Sequence, residues 1–307
     1  MQKNNKQKGK SKMQIKQTKK MKNTDNTPRK KEKPEQKWAG KEVFILLALV
    51  FLITECLGLF VATSLFQQGL QQPPFSEDVN DIGNAVGLFA TILIMTGFIL
   101  LILRFKKERK LLIVMETLAV FSTAILVLSA FITNNDSVII LLALLLIVMR
   151  NINRENLAMR NVAGIIAIAG AGALLGISIG LLPLIFFIIA LAIYDIIAVF
   201  KTKHMVELGR AVTKQNFAFT IAMPTKEHKF ELGNGDLVIP LMVASSILVN
   251  GNFLNNNFVA ALCLIASFAG LCISIYLVSE KKVAMPALPP QTLLMLIVIG
   301  GAILFGL

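Results

Sequence analysis

From Val43 onward the chain is built of long apolar runs separated by short polar joints. Most runs reach the roughly 20 residues that a helix needs to cross the hydrocarbon core of a bilayer. They predict nine spans, at about 43–66, 84–103, 111–132, 137–149, 162–180, 183–200, 237–249, 258–278 and 292–307. The fourth is the shortest, because about twelve apolar residues cover only about 18 Å at 1.5 Å per residue.

The joints test this count, since Lys and Arg concentrate on the cytoplasmic side of a membrane protein. One set carries them: Arg104 to Lys110, then Arg150, Arg154 and Arg160, then Lys201 to Lys229, then Lys281 and Lys282. The alternate set, Gln67 to Gly83, Thr133 to Asp136, Gly180 to Leu182 and Asn250 to Asn257, carries none. Removing the fourth span would strand Arg150, Arg154 and Arg160 on the wrong side. The expectation is an all-α membrane protein, a nine-helix bundle with a cytoplasmic N-terminus and an external C-terminus, multi-pass in the cell membrane.

Composition agrees, with 55% hydrophobic and 16% charged residues and a mean hydropathy of +0.69. A soluble domain needs a more polar surface. The formal net charge of +13 suggests a nucleic-acid partner until it is located. Residues 1–41 hold 15 Lys and Arg against 3 acidic residues, leaving 16 basic and 15 acidic residues for the rest. This polar segment is too poor in apolar residues to fold and lacks the interleaved aromatics of a nucleic-acid surface. It is expected to be a disordered cytoplasmic tail near anionic lipid, with no nucleic acid bound. Residues 42–307 form the membrane domain: spans one to six over about 43–200, a cytoplasmic loop at 201–235, and spans seven to nine over about 236–307.

Cys56, Cys263 and Cys272 all lie in apolar runs and imply no disulfide framework. With only His204 and His228 to join them, no metal site or cofactor is predicted, and both histidines read as solvated loop side chains. Val43 to Phe66 is too long for the apolar core of a signal peptide and is expected to remain as the first span. Gly172, Gly176 and Gly180 form a small-residue stripe suited to close helix packing.

Ionisable groups within spans are costly and mark candidate functional sites. Glu55, Glu116, Asp195 and Asp236 qualify. Asp195 lies six residues before Lys201, about 9 Å deeper at the helical rise. Asp236 follows Lys229 by seven residues and enters from the same side, so the two aspartates reach one level on adjacent spans. Two carboxylates held together share a proton, and one can activate water while the other polarises a peptide carbonyl. Gly233 and Gly235 are expected to give unusual dihedrals and close backbone approach just before Asp236. The segment Met285-Pro-Ala-Leu-Pro-Pro290 arrives at the same depth, and its prolines predict an extended piece bordering a cavity. Phe217 to Met223, with β-branched and aromatic residues, reads either as a strand that pairs with an unwound substrate or as an apolar patch on a loop. Glu55 and Glu116 match no motif and are expected to be neutral or paired with polar groups.

Tyr194-Asp195, Gly233-Asn-Gly-Asp236 and Pro286-Ala-Leu288, in this order and within nine spans, resemble the Gly-x-Gly-Asp intramembrane aspartyl proteases of the presenilin and signal-peptide-peptidase family. The resemblance covers about residues 43–307, and Lys201 to Met205 is similar to archaeal presenilin homologues in particular. It implies that Asp195 and Asp236 are catalytic, that Tyr194, Gly233, Gly235, Pro286, Ala287 and Leu288 shape the site or position substrate, and that substrates are single-span membrane proteins or peptides. Asn234 departs from the apolar residue usual in the family. Prepilin peptidases share Gly-x-Gly-Asp but have fewer spans and no Pro-Ala-Leu element. An ion or solute channel or transporter is the alternative use of these aspartates, although no repeat supports it.

Overall fold

The computed structural model describes residues 41–102, 108–202, 216–224, 229–281 and 285–306. The expected tail up to residue 40, the two histidines and Lys203 to Met205 lie outside the described residues. Among those described there are nine helices: α1 (Lys41–Gln67), α2 (Ile82–Ile102), α3 (Glu108–Phe131), α4 (Asp136–Ile152), α5 (Leu157–Ser178), α6 (Leu181–Ile197), α7 (Gly235–Asn250), α8 (Asn256–Lys281) and α9 (Leu288–Phe305). Each overlaps a predicted span. Seven are long and apolar enough to cross a membrane, α6 when counted with the turn that carries it to Lys201, while α4 at 17 residues and α7 at 16 are the short ones.

The shortest helix occupies the middle. Leu237 and every residue from Ile239 to Ile247 of α7 are buried, including Pro240, Ser245 and Ser246. One side of α7 joins a core with α2, α6, α8 and α9, and another joins a core with α1, α5 and α8. A helix enclosed on all sides has no need of an amphipathic stripe. The glycine stripe of α5 makes this possible: a Cβ on Gly172 would stand 2.7 Å from Leu241 Cδ2, and one on Gly176 would stand 2.7 Å from the Met242 carbonyl oxygen. Close packing, the expected role of the stripe, is what it does.

The bundle is not purely helical. Thr220–Pro224 (β1) pairs antiparallel with Lys229–Gly233 (β2), with Thr220 opposite Gly233 and Ala222 opposite Glu231. Phe217, Ala218, Ile221, Ala222 and Met223 are buried, so this segment is neither a surface patch nor an open strand. Its outer edge is taken by Asn161 of α5, whose amide donates to the Ala222 carbonyl at 2.7 Å and accepts from the Ala222 N–H at 2.9 Å. Among the described residues its partners are β2 and α5.

One correction concerns the ninth helix, which begins at Leu288 and not near residue 292. Pro289 and Pro290 lie in its first turn, where helix geometry leaves backbone N–H groups without partners in any case. The extended piece predicted for 285–290 is confined to its beginning.

Candidate active site

Asp195 sits near the end of α6, where the helix passes into a wider π-helical turn, Ala198–Thr202. Such turns interrupt regular spacing and recur at functional positions. The preceding Tyr194 packs edge-on against Phe89 of α2, with ring centroids 6.3 Å apart and planes at 86°. Asp195 itself is half-buried.

Asp236 is delivered from the opposite direction. Strand β2 ends at Gly233, Asn234 caps α7, and Asp236 is the second residue of that helix. The Asn234 N–H donates to the Phe219 carbonyl at 3.1 Å, and its side-chain amide donates to the Ala218 carbonyl at 2.8 Å. The unusual residue of the motif thus ties the approach to Asp236 onto the chain leading into β1. Pro240 lacks the N–H that would bond to the Asp236 carbonyl in a regular helix.

The glycines work differently from the expectation. Neither Gly233 nor Gly235 adopts a left-handed backbone. A Cβ on Gly233 would lie 3.4 Å from Asp236 Oδ2, whereas one on Gly235 would meet open space. Gly233 lets the carboxylate rest against backbone, and Gly235 leaves that backbone bare.

The third segment closes the arrangement. The Leu288 N–H, at the start of α9, donates to Asp195 Oδ2 at 3.3 Å. Gly270 of α8 permits this placement, because a Cβ there would stand 2.6 Å from Gln291 Cα. Ser267 donates to Gln291 Oε1 at 3.0 Å, and Ser274 reaches the Ala287 carbonyl at 3.5 Å. Pro286 is buried, and Ala287 caps the helix. Leu191, one turn before Asp195, and Ile239, one turn after Asp236, share one apolar core against which Leu288 packs. All three sequence segments therefore meet at one place, with the amide end of α9 directed at one carboxylate.

The sequence matches the family described as signal-peptide peptidase, presenilin aspartyl protease over residues 48–303. The chain belongs to this family. Two solved structures of a presenilin family intramembrane aspartate protease, in C222 and P2 crystal forms, share its fold. The first has a TM-score of 0.64 at 18% identity, covering 85% of this chain and 99% of the other. The second has a TM-score of 0.62 at 21% identity, covering 85% and 97%. No curated protein sequence matches significantly. As a member of this family, the protein is a multi-pass integral membrane hydrolase of the intramembrane aspartyl protease class.

Around the hairpin lies a charged layer whose arginines the sequence places in a joint and whose Glu116 it places within the third span. Glu116 of α3 pairs with Arg150 at 2.9 Å and Arg154 at 2.6 Å, and accepts the Ala218 N–H at 2.9 Å. Arg160 of α5 pairs with Glu231 of β2 at 2.8 Å. Glu116, Arg150 and Arg160 are buried. The pairing expected for Glu116 is present. Glu55 is also buried, but its carboxylate oxygens have no hydrogen-bond partner among the described residues. The available sequence signal for the charged layer was three arginines within one short joint, beside a glutamate inside the third span.

Proposed function

We propose that this family member hydrolyses peptide bonds within single-span membrane proteins or peptides, with Asp195 and Asp236 as its catalytic pair. The observation carrying the proposal is the convergence of α6, the β2–α7 junction and the start of α9 on these two carboxylates. The ionised aspartate takes a proton from water as that water attacks the scissile carbonyl. The protonated aspartate donates a hydrogen bond to the carbonyl oxygen and stabilises the charge developing there. Collapse of the tetrahedral intermediate returns a proton to the leaving nitrogen. The substrate helix must unwind first, because its backbone is otherwise closed by its own hydrogen bonds.

Tyr194 supports the end of α6, Gly233 and Gly235 keep the approach to Asp236 uncluttered, and Pro286, Ala287 and Leu288 set the α9 amide at Asp195. Loop charges support a cytoplasmic N-terminus and an external C-terminus, and the membrane we assign is the cell membrane. Residues 1–41 then act as a separate basic tail near anionic lipid.

The test is purified protein in lipid with a single-span test substrate, comparing wild type with Asp195→Ala and Asp236→Ala. Both variants should remain folded and lose cleavage. Cleavage surviving either substitution defeats the two-aspartate mechanism.

A further inference from the structure

Arg160 is the fourth residue of α5 and is completely buried. Its guanidinium makes a forked contact with Glu231, Nη2 to Oε2 at 2.8 Å and Nη1 to Oε1 at 3.2 Å. The same group reaches β1, donating from Nε to the Thr220 carbonyl at 3.2 Å and from Nη2 to the Thr220 hydroxyl. That hydroxyl in turn donates to Glu231 Oε2 at 3.0 Å. One planar cation therefore joins both strands of the hairpin, a task suited to the rigid donor fork of arginine.

The contact is specific to register. Thr220 stands opposite Gly233, and Glu231 lies two residues before Gly233 on the same face. Sliding β2 by one residue would turn Glu231 to the other face and break the fork. Such a slide also moves the chain by about 3.3 Å. Only Asn234 and Gly235 separate β2 from Asp236, so the slide would carry the aspartate with it. Strand β1 is fixed independently, by Asn161 at Ala222 and by Glu116 at Ala218. Asn234 ties the end of β2 to Ala218 and Phe219, and Arg160 is the buried side chain that joins the two strands within the ladder itself.

We propose that Arg160 is a positioning residue for proteolysis, locking the register of the hairpin and so setting Asp236 against Asp195. This rests on the aspartate pair proposed above. The experiment compares wild type, Arg160→Lys and the double variant Arg160→Met/Glu231→Met in lipid with a single-span test substrate. The double variant removes both charges together, a replacement that buried ion pairs commonly tolerate without loss of folding.

The double variant is expected to lose about 100-fold in kcat, the scale of a misplacement of about 1 Å at a reacting centre, while KM changes by less than about threefold. Arg160→Lys should recover part of the loss, since it keeps the charge on Glu231 but not the fork. Amide exchange supplies a readout independent of cleavage: residues 218–224 and 229–236 should exchange about tenfold faster in the double variant, with α3 and α8 unchanged. A kcat within about twofold of wild type, unchanged hairpin exchange, or exchange rising equally in all helices overturns the proposal. If Asp195→Ala still cleaves, the aspartate pair fails instead, and the exchange measurement alone decides whether Arg160 locks the hairpin.

Discussion

The two ends of the bundle are closed by different chemistry. Around the hairpin, closure is ionic: Glu116 with Arg150 and Arg154, and Arg160 with Glu231. At the far end it is neutral. Gln71 donates to the Ile177 carbonyl at 2.7 Å and to Asn250 Oδ1 at 2.9 Å, Asn250 donates to the Ile177 carbonyl at 3.0 Å, and Ser246 donates to the Ile179 carbonyl at 2.7 Å. These amides and the hydroxyl satisfy carbonyls freed where α5 gives way to α6. Neutral donors suffice for that task, because an exposed carbonyl needs a hydrogen bond but not a counter-charge. The hairpin end must also hold a strand pair in one register, and there the chain buries charge that binds only a correctly placed partner.

The comparison can be broken most directly by removing one group from each end. Glu116→Ala leaves Arg150 buried without its counter-charge and should destabilise the protein by about 3–5 kcal/mol in detergent unfolding. Asn250→Ala removes one neutral donor and should destabilise by only about 1–3 kcal/mol, with kcat close to wild type. Equal losses would erase the distinction between the ends.

A smaller effect compares two glycines on α5. A Cβ on Gly176 would stand 2.7 Å from backbone of α7, whereas one on Gly164 would meet the Ala218 carbonyl and Ile221 at 3.5 Å, an ordinary contact. Gly176→Ala should lower stability by about 1–3 kcal/mol through overpacking. Gly164→Ala should stay within about 1 kcal/mol of wild type, its crowding offset by the helix propensity of alanine. Matched unfolding curves for the two variants would show that α5 does not press on α7 more tightly than on the hairpin.

The smallest effect belongs to the loop at the far end. The Gly83 N–H, at 2.8 Å, and the Ser76 hydroxyl hold the Asp81 carboxyl below its ordinary value of 3.8. A lowered folded-state value stabilises the protein at pH above the ordinary value, and the benefit is lost as the pH falls through the lowered one. Melting temperatures of wild type and Asp81→Asn should therefore differ slightly near neutral pH and converge in acid. A constant difference across that range would remove Asp81 as the source.

The spans were legible because the length of an apolar run is a local property that the bilayer enforces directly. Boundaries slipped where polar or proline residues proved helical. Arg160 and Asn161 lie inside α5 because the hairpin satisfies them, and Pro289 and Pro290 lie inside α9 because a first turn tolerates them. The aspartates and the Pro-Ala-Leu segment stood out as charge and broken helix where a membrane permits little of either. Strand pairing of residues 220–224 with 229–233 did not, since the same apolar run suits a surface patch or a buried strand equally well. The arginines were misleading for a related reason: the charge rule behind the expected topology concerns where a cation lies along the membrane normal and says nothing of whether it faces lipid or protein.

By itself, then, the sequence determined the nine spans that are helices among the described residues and their order, and it singled out the three motif segments, all consequences of short-range composition. Only the tertiary structure decided that Asn234 ties the motif to Ala218, that α7 stands enclosed at the centre, and that Arg160 meets Glu231 across 71 positions of chain. Those contacts depend on lateral packing, which brings distant residues together within the membrane plane and leaves no periodic trace along the chain.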